Sequence, residues 1–278
     1  MMRHRGILAV SLGAAKSGTS WLYDQLAGLS GVHAPVSKEQ HYFNNLDEGR
    51  VAHLAKLEAR LARSVNNGKV ARADEIRGQL AMFAAGDQGY LAHVSKGAAA
   101  TEVVMDFTPA YGLLPRERLL DIQNIANTRF VLLMRDPVAR LWSNIRMDAR
   151  RAMRQGGDFA KTSREMLESV LSGGKPAIRA RGDYKDMLER FSILDAKRVF
   201  IAFYEELFTS ETMTRICDFL EIAVGPLAFD KQVNEGRALA MVEADRVRAA
   251  EYLKPQYAAV QAHMGRLPDS WKQTAGVA

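Results

Sequence analysis

Five short apolar runs recur along the chain, each bounded by polar, glycine or turn residues. They are Ile7-Leu8-Ala9-Val10-Ser11-Leu12, Val32-His33-Ala34, Glu102-Val103-Val104-Met105-Asp106, Arg129-Phe130-Val131-Leu132-Leu133-Met134 and Val199-Phe200-Ile201-Ala202-Phe203. The first and fourth are nearly continuous, the pattern of a central strand covered on both faces. After the first run the period changes: Leu22, Leu26 and Leu29 fall at helical spacing. Strands alternating with helical patterns predict an α/β fold with a parallel sheet.

Residues 49–86 read differently. Val51, Leu54, Leu57, Leu61 and Val65 form one helical stripe, and Val70, Ala73, Ile76, Leu80 and Phe83 a second. Asn66-Asn67-Gly68 between them is turn chemistry. This predicts a charged helical hairpin inserted between the second and third strands, read as a solvated excursion rather than a dedicated binding module. Further helical patterns cover 137–192, interrupted at Ser172-Gly173-Gly174-Lys175-Pro176, and 212–220 and 243–264. With no internal repeat or long linker, residues 1–278 are read as a single domain.

Of the 278 residues, 47% are hydrophobic and 25% charged, which excludes a disordered or fibrous chain. No apolar run approaches the ~18 residues of a membrane span. The single cysteine, Cys217, excludes an internal disulfide and a thiolate metal cage. Met1-Met2-Arg3-His4-Arg5 and the apolar run behind it imitate a secretory leader, but a buried strand explains the same run. The net charge of +6 fits an anionic ligand without identifying one.

The first strand runs into Gly13-Ala14-Ala15-Lys16-Ser17-Gly18-Thr19-Ser20-Trp21 and then a helix. Small residues let backbone N–H groups approach a ligand, and the helix N-terminus favours an anion. Lys16 adds a charge, and Ser17, Thr19 and Ser20 add hydroxyl donors, so the loop is expected to bind phosphate or sulfate. Lysine here precedes the glycine, unlike the Walker A pattern. Neither Met134-Arg135 nor Phe203-Tyr204 supplies a Walker B carboxylate, so no metal is expected. The fourth run ends in Arg135-Asp136-Pro137, with Asp136 a good N-cap and Pro137 suited to the first helical position. Arg135 therefore belongs at the carboxyl end of a strand, where open α/β sheets bind ligands. Ser143, two turns on, is placed to join it at a second phosphate group.

Together these residues resemble a known family. Ala15-Lys16-Ser17-Gly18-Thr19-Ser20-Trp21-Leu22 is similar to the 5′-phosphosulfate loop of sulfotransferases that use 3′-phosphoadenosine 5′-phosphosulfate (PAPS). Arg135-Asp136-Pro137 with Ser143 resembles that family's 3′-phosphate motif. The chain looks closest to the heparan sulfate sulfotransferase branch. Lys38-Glu39-Gln40-His41-Tyr42-Phe43 resembles its K-E-x-x-F-F segment, and Thr108-Pro109-Ala110-Tyr111 its S/T-P-x-Y segment. Gly182-Asp183-Tyr184 with Leu188 resembles the G-x-Y…L segment, Tyr204-Glu205-Glu206-Leu207 the Y-E-x-L segment, and 267–271 the C-terminal end.

The resemblance implies a P-loop NTPase-like central parallel β-sheet flanked by helices, here with the inserted helical hairpin. It implies sulfuryl transfer from PAPS to a hydroxyl or amine, leaving 3′,5′-ADP (PAP). Lys16 would stabilise the leaving phosphate. Ser17, Gly18, Thr19, Ser20 and Trp21 would hold the 5′-phosphate, and Arg135, Ser143, Tyr184, Gly236 and Arg237 the remainder of the donor. Glu39 matches the branch's catalytic glutamate, with a pKa raised in a closing site, and His41 is the rival base. Lys38, His41, Phe43, Asn44, Tyr90, Asp106, Tyr111 and the hairpin are expected to line the acceptor pocket.

There are departures from the branch: Asn44 stands where it often carries aspartate, Phe107 where it carries lysine, and Asn234-Glu235-Gly236-Arg237 only echoes its later 3′-phosphate loop. The missing Golgi-type cysteines suit a reducing cytoplasm. The acceptor is left open among carbohydrate, lipid headgroup and small molecule. Three other readings stand beside this one: a P-loop kinase or nucleotide hydrolase; a nucleic-acid binder using Arg146, Arg150, Arg151, Arg154, Arg179 and Arg181; and a PAPS-binding protein without turnover.

Overall fold

The structure, a computed structural model, describes residues 6–47, 49–100, 102–153, 156–229 and 238–276. Five strands form one parallel sheet: β1 (Ile7–Gly13), β2 (Val32–His33), β3 (Val103–Asp106), β4 (Asn127–Met134) and β5 (Val199–Phe203), in the order β2-β3-β1-β4-β5. All five predicted strands form, each within two residues of its expected ends.

Alternate side chains of the central strands enter two separate cores. Leu8, Val10, Leu12, Phe130, Leu132 and Met134 point into one; Ile7, Ala9, Val131 and Leu133 point into the other. Apolar burial on both faces is why these strands read as continuous runs. The second core is closed by α1 (Thr19–Ala27), through Trp21, Leu22 and Leu26. The helices of the inserted hairpin, α2 (Arg50–Asn66) and α3 (Val70–Ala84), contribute to the first core instead.

The hairpin has the predicted bounds but not the predicted setting. Leu57, Ile76, Met82 and Phe83 are buried in the main core, whereas Val51, Val65 and Val70 at its ends are exposed. It is thus docked along its middle rather than solvated. A third helix, α4 (Gly86–Val94), follows at once and carries the buried Tyr90. Weak amphipathicity hid this short helix in the sequence.

α5 (Arg116–Ile125) leads into β4. The region 137–192 resolves into α6 (Pro137–Ala152), α7 (Phe159–Leu171), α8 (Pro176–Ala180) and α9 (Tyr184–Phe191). Asp136 caps α6 by accepting the Ala139 N–H at 2.8 Å, as its position before Pro137 predicts. After β5 come α10 (Ser210–Leu220), which covers the second core through Met213, Ile216 and Leu220, and then α11 (Glu243–Tyr252), α12 (Lys254–Met264) and α13 (Asp269–Ala275). The single helix expected over 243–264 breaks at Leu253 because Pro255, in the first turn of α12, cannot continue the α11 ladder. Among the described residues no helix is long and apolar enough to cross a membrane.

Candidate active site

The carboxyl ends of all five strands open on one side of the sheet, and the strand order reverses around β1. This is the switch-point geometry at which open α/β sheets bind ligands. Residues 14–18 leave β1 there, 35–44 follow β2, 107–111 follow β3, Arg135 and Asp136 follow β4, and 204–206 follow β5.

The first loop folds around two left-handed residues, Lys16 (φ 73°) and Gly18 (φ 87°). A side chain on Gly18 would meet the Tyr204 ring at 2.8 Å, so this glycine serves both conformation and close approach. Among the described residues, the N–H groups of Lys16, Gly18, Thr19 and Ser20 donate to no other group of the chain. Those at the start of α1 are the orphan donors of any helix N-terminus. Burial, with Arg135, Arg146 and Arg151 nearby, holds the Lys16 ammonium below the usual lysine range. Three arginines thus add their charge at one lysine, opposed by Asp148. Arg146 and Arg151, which the nucleic-acid-binding alternative would have used, lend their charge to this loop.

Arg135 is held from three sides. The Tyr184 hydroxyl accepts its N–H at 2.9 Å and donates to its carbonyl at 2.8 Å. Its guanidinium donates to the Lys16 carbonyl at 3.2 Å and lies 4.5 Å from the centre of the Tyr204 ring. Glu205 accepts the adjoining Asp136 N–H at 3.1 Å, and Tyr257 donates to the Asp136 carboxylate at 2.8 Å. Trp271 packs against Tyr184, Phe203 and Tyr257. Gly182 leaves room for the buried Arg140 guanidinium, with which any side chain there would collide. The G-x-Y, Y-E-x-L and C-terminal segments thus brace one arginine.

The segment after β2 is fastened to the end of β3. The Lys38 carbonyl accepts the Phe107 N–H at 3.0 Å. Thr108 Oγ1 accepts the Gln40 N–H at 2.9 Å, and the Tyr111 hydroxyl accepts the Tyr42 N–H at 3.1 Å. Beneath lies Asp106, which accepts from Thr108 at 2.6 Å, Tyr111 at 2.8 Å and Tyr90 at 3.0 Å. Burial raises the Asp106 carboxyl against these three donors.

On this support stand three charged side chains. Lys38 Nζ lies 3.1 Å from Ser20 Oγ, 3.4 Å from Thr19 Oγ1 and 3.2 Å from Glu39 Oε1. Glu39 Oε2 lies 3.2 Å from His41 Nε2, and His41 Nδ1 lies 3.3 Å from Asn44 Oδ1. His41 sits at φ 54°, so it and Lys16 both occupy backbone conformations that non-glycine residues rarely adopt, a kind of strain that gathers at functional sites.

Several expectations change. Burial does push Glu39 upward, but the His41 hydrogen bond and the Lys38 charge outweigh it, so its carboxyl lies below the usual range, not above it. The same hydrogen bond raises His41 against the effect of burial. Tyr90, Asp106 and Tyr111 are wholly buried and Phe43 is 2% exposed. Their large or polar side chains face the interior, so they support the 38–44 segment from below instead of lining an open pocket. Trp21 likewise packs on Phe208 and Phe229 in the second core. The wholly buried Tyr184 acts on the site through Arg135. Lys38, expected at the acceptor, reaches the donor loop. Ser143 is half-buried on α6, and Gly236 and Arg237 lie outside the described residues.

Three contributors escaped the sequence reading as site residues. Tyr204 and Glu205 were legible only as a family segment, although their place just beyond β5 puts them in the same crevice. His53 of α2, whose ring centre lies 6.4 Å from that of His41, had no local signal.

This geometry has recognisable company. Among solved structures, a sulfotransferase from Alicyclobacillus acidocaldarius superposes with a TM-score of 0.62 at 18% identity, covering 98% of this chain and 100% of that one. The sulfotransferase domain of the Synechococcus PCC 7002 olefin synthase gives 0.54 at 18% identity, covering 96% and 98%. The sulfotransferase domain from the curacin biosynthetic pathway gives 0.52 at 20% identity, covering 99% and 98%. These likenesses concern the fold. No curated protein sequence matches the chain. The sulfotransferase family model, however, matches residues 10–226, a span from the first strand past the last one that takes in the loop, the 38–44 segment, Arg135 and Tyr204. By that match the chain belongs to the sulfotransferase family.

Proposed function

We propose that the protein transfers a sulfuryl group from PAPS to a hydroxyl or amine of a small-molecule, lipid or saccharide acceptor, with Glu39 as general base. The observation that carries this reading is the position of Lys38, whose ammonium touches both Glu39 and the hydroxyls of the first loop. A proton acceptor and an anion cradle are thereby held one side chain apart.

The residues present fit a donor with two phosphate groups. The unpaired N–H groups, Lys16 and the hydroxyls of Thr19 and Ser20 suit a 5′-phosphosulfate, and Arg135 with Ser143 suits a 3′-phosphate. Bound there, the donor supplies an activated sulfuryl group, whose sulfur–oxygen bond to phosphate breaks as the bond to the acceptor forms. Lys16 stabilises charge on the departing phosphate oxygen, and positioning and electrostatics do most of the work in such displacements. Glu39 takes the acceptor proton. In the free protein it is ionised at neutral pH, and its basicity is muted by the His41 hydrogen bond and by the Lys38 charge. An anion in the loop draws the Lys38 ammonium toward itself and weakens that restraint. His41, hydrogen-bonded to Glu39, orients the carboxylate and shares its proton.

Thermal unfolding with 3′,5′-ADP, 5′-ADP and Mg²⁺-ATP in parallel tests the donor assignment. A ligand at ~100 times its Kd stabilises by ~2.7 kcal/mol, a rise of roughly 5–10 °C for a chain of this size. The expected result is a shift with 3′,5′-ADP and none with Mg²⁺-ATP; the reverse would make this a kinase-like site. Glu39→Gln should abolish sulfuryl transfer and leave 3′,5′-ADP binding nearly intact, and unchanged turnover would remove Glu39 from the base role.

A further inference from the structure

The inserted hairpin carries a second concentration of positive charge, away from the donor loop. At its tip, Arg60, Arg63, Ser64, Asn67, Lys69 and Arg72 line an open surface cavity of about 150 Å³. Four of the six are cations, and no carboxylate lines it. The turn is well built: Lys69 N–H donates to the Ser64 carbonyl at 2.8 Å and Asn67 N–H to the Arg63 carbonyl at 3.2 Å. Among the described residues, no carboxylate forms an ion pair with Arg60, Arg63 or Arg72. Arg63 donates through Nε to the Ala59 carbonyl, leaving the outer guanidinium nitrogens toward solvent. Arg60 and Arg63, three residues apart on α2, repel one another, a cost that a bound anion reverses.

The cavity is connected to the candidate active site by the helix itself. His53, Lys56, Arg60 and Arg63 recur at three- and four-residue spacing, one face of α2. His53 lies beside His41, and the charges of Lys56 and Arg60 are felt at its ring. Arg60 and Arg63 follow His53 by seven and ten residues, roughly 10–15 Å along the axis. A basic ridge therefore runs from the reacting groups to the tip.

We propose that the hairpin tip is a second anion site, which holds a phosphate or sulfate group borne by a soluble acceptor while another part of that acceptor lies at Glu39. The size fits a single such group, being below the ~300–1,000 Å³ that encloses a whole drug-sized ligand. Arginine forks provide the paired donors that phosphate and sulfate oxygens accept. The part played by the acceptor rests on the sulfuryl-transfer reading; the anion site itself does not.

The test is calorimetric titration of sodium phosphate and of glycerol 3-phosphate into three proteins: wild type, Lys16→Ala, and Lys16→Ala that also carries Arg63→Ala with Arg72→Ala. The arginine pair replaces exposed side chains, and an unchanged or raised Tm will show that the variant folds. Binding should persist in Lys16→Ala, whose donor loop is weakened, and fall at least about tenfold further when the arginine pair is added. Equal binding with and without the arginine pair, or no binding by Lys16→Ala, overturns the site. If 3′,5′-ADP fails to bind while this pattern holds, the donor reading falls and the anion site stands. A parallel arm uses phosphatidylglycerol and phosphatidylcholine vesicles. Vesicle binding that needs the arginine pair, without binding of either soluble phosphate, would replace the soluble acceptor with a membrane lipid and refute the proposal.

Discussion

Replacing Tyr184 by phenylalanine removes one oxygen and two hydrogen bonds. That oxygen accepts the Arg135 N–H at 2.9 Å and donates to the Arg135 carbonyl at 2.8 Å, while the ring is wholly buried against Trp271. Phenylalanine keeps the packing, so the substitution isolates the clamp. Two such bonds contribute roughly 1–3 kcal/mol together, the lower part of the range applying if water reaches the half-buried backbone of Arg135. For a chain of this size that lowers Tm by about 2–10 °C. A second effect falls on the ligand. Arg135 is fastened to the fold by this clamp, and a charge-assisted hydrogen bond from a well-held arginine contributes ~1.5–3 kcal/mol. Losing half of one weakens 3′,5′-ADP binding about threefold to tenfold. Scanning fluorimetry measures the first effect and calorimetric titration the second. A lower Tm with unaltered affinity would reduce Tyr184 to a packing residue, and no change in either would refute the clamp.

Other substitutions and conditions probe different parts of the site. Gly18→Ala forces a left-handed alanine, costing roughly 1–2 kcal/mol, and drives a methyl toward the Tyr204 ring 2.8 Å away; 3′,5′-ADP affinity should fall at least tenfold, and wild-type affinity would show that the loop is not the anion cradle. Because Lys16 is held below the usual lysine range by burial and three arginines, 3′,5′-ADP affinity should decline as pH rises through that lowered value, before ~10.4. Lys16→Met should lack this limb, and identical profiles would argue against contact between Lys16 and the ligand. Glu39 and His41 are linked to stability with opposite signs. The lowered Glu39 carboxyl stabilises above ~pH 4.3 and loses this as pH falls through its folded value, whereas the raised His41 stabilises below ~pH 6.5 and loses this as pH rises through its own. His41→Ala should therefore flatten the decline of Tm above ~pH 6.5, shallowly because both groups are more than a third exposed; superimposable Tm profiles would contradict the coupling.

How much of this was legible in advance follows from the range of each interaction. Strand positions and the glycine–lysine loop depend on residues close in sequence, and each declared itself by period or by an anion-binding composition. The helix break at Leu253 is equally local, since Pro255 alone imposes it, yet an apolar period running across it concealed the break. The Glu39 carboxyl shows the opposite case. Burial, which the sequence suggested, pushes it up, but its partners His41 and Lys38 are oriented by a segment fastened to β3 through contacts that span more than sixty positions, such as Gln40 with Thr108.

By itself the sequence determined the elements: parallel strands buried on both faces, an αα hairpin with a tight Asn-Gly turn, and a loop whose small residues, lysine and hydroxyls suit an anion. Those features arise from side-chain period, backbone conformation and local composition, all of which act over a few residues. Only the tertiary structure decided which polar residues meet. It turned Tyr90, Asp106 and Tyr111 inward as a support, moved Lys38 from the acceptor side to the donor loop, gathered Arg146 and Arg151 around Lys16, and laid the hairpin beside His41. Hydrogen bonds and charges act across a few ångströms of space, and only the folded chain brings residues forty or a hundred positions apart within that distance.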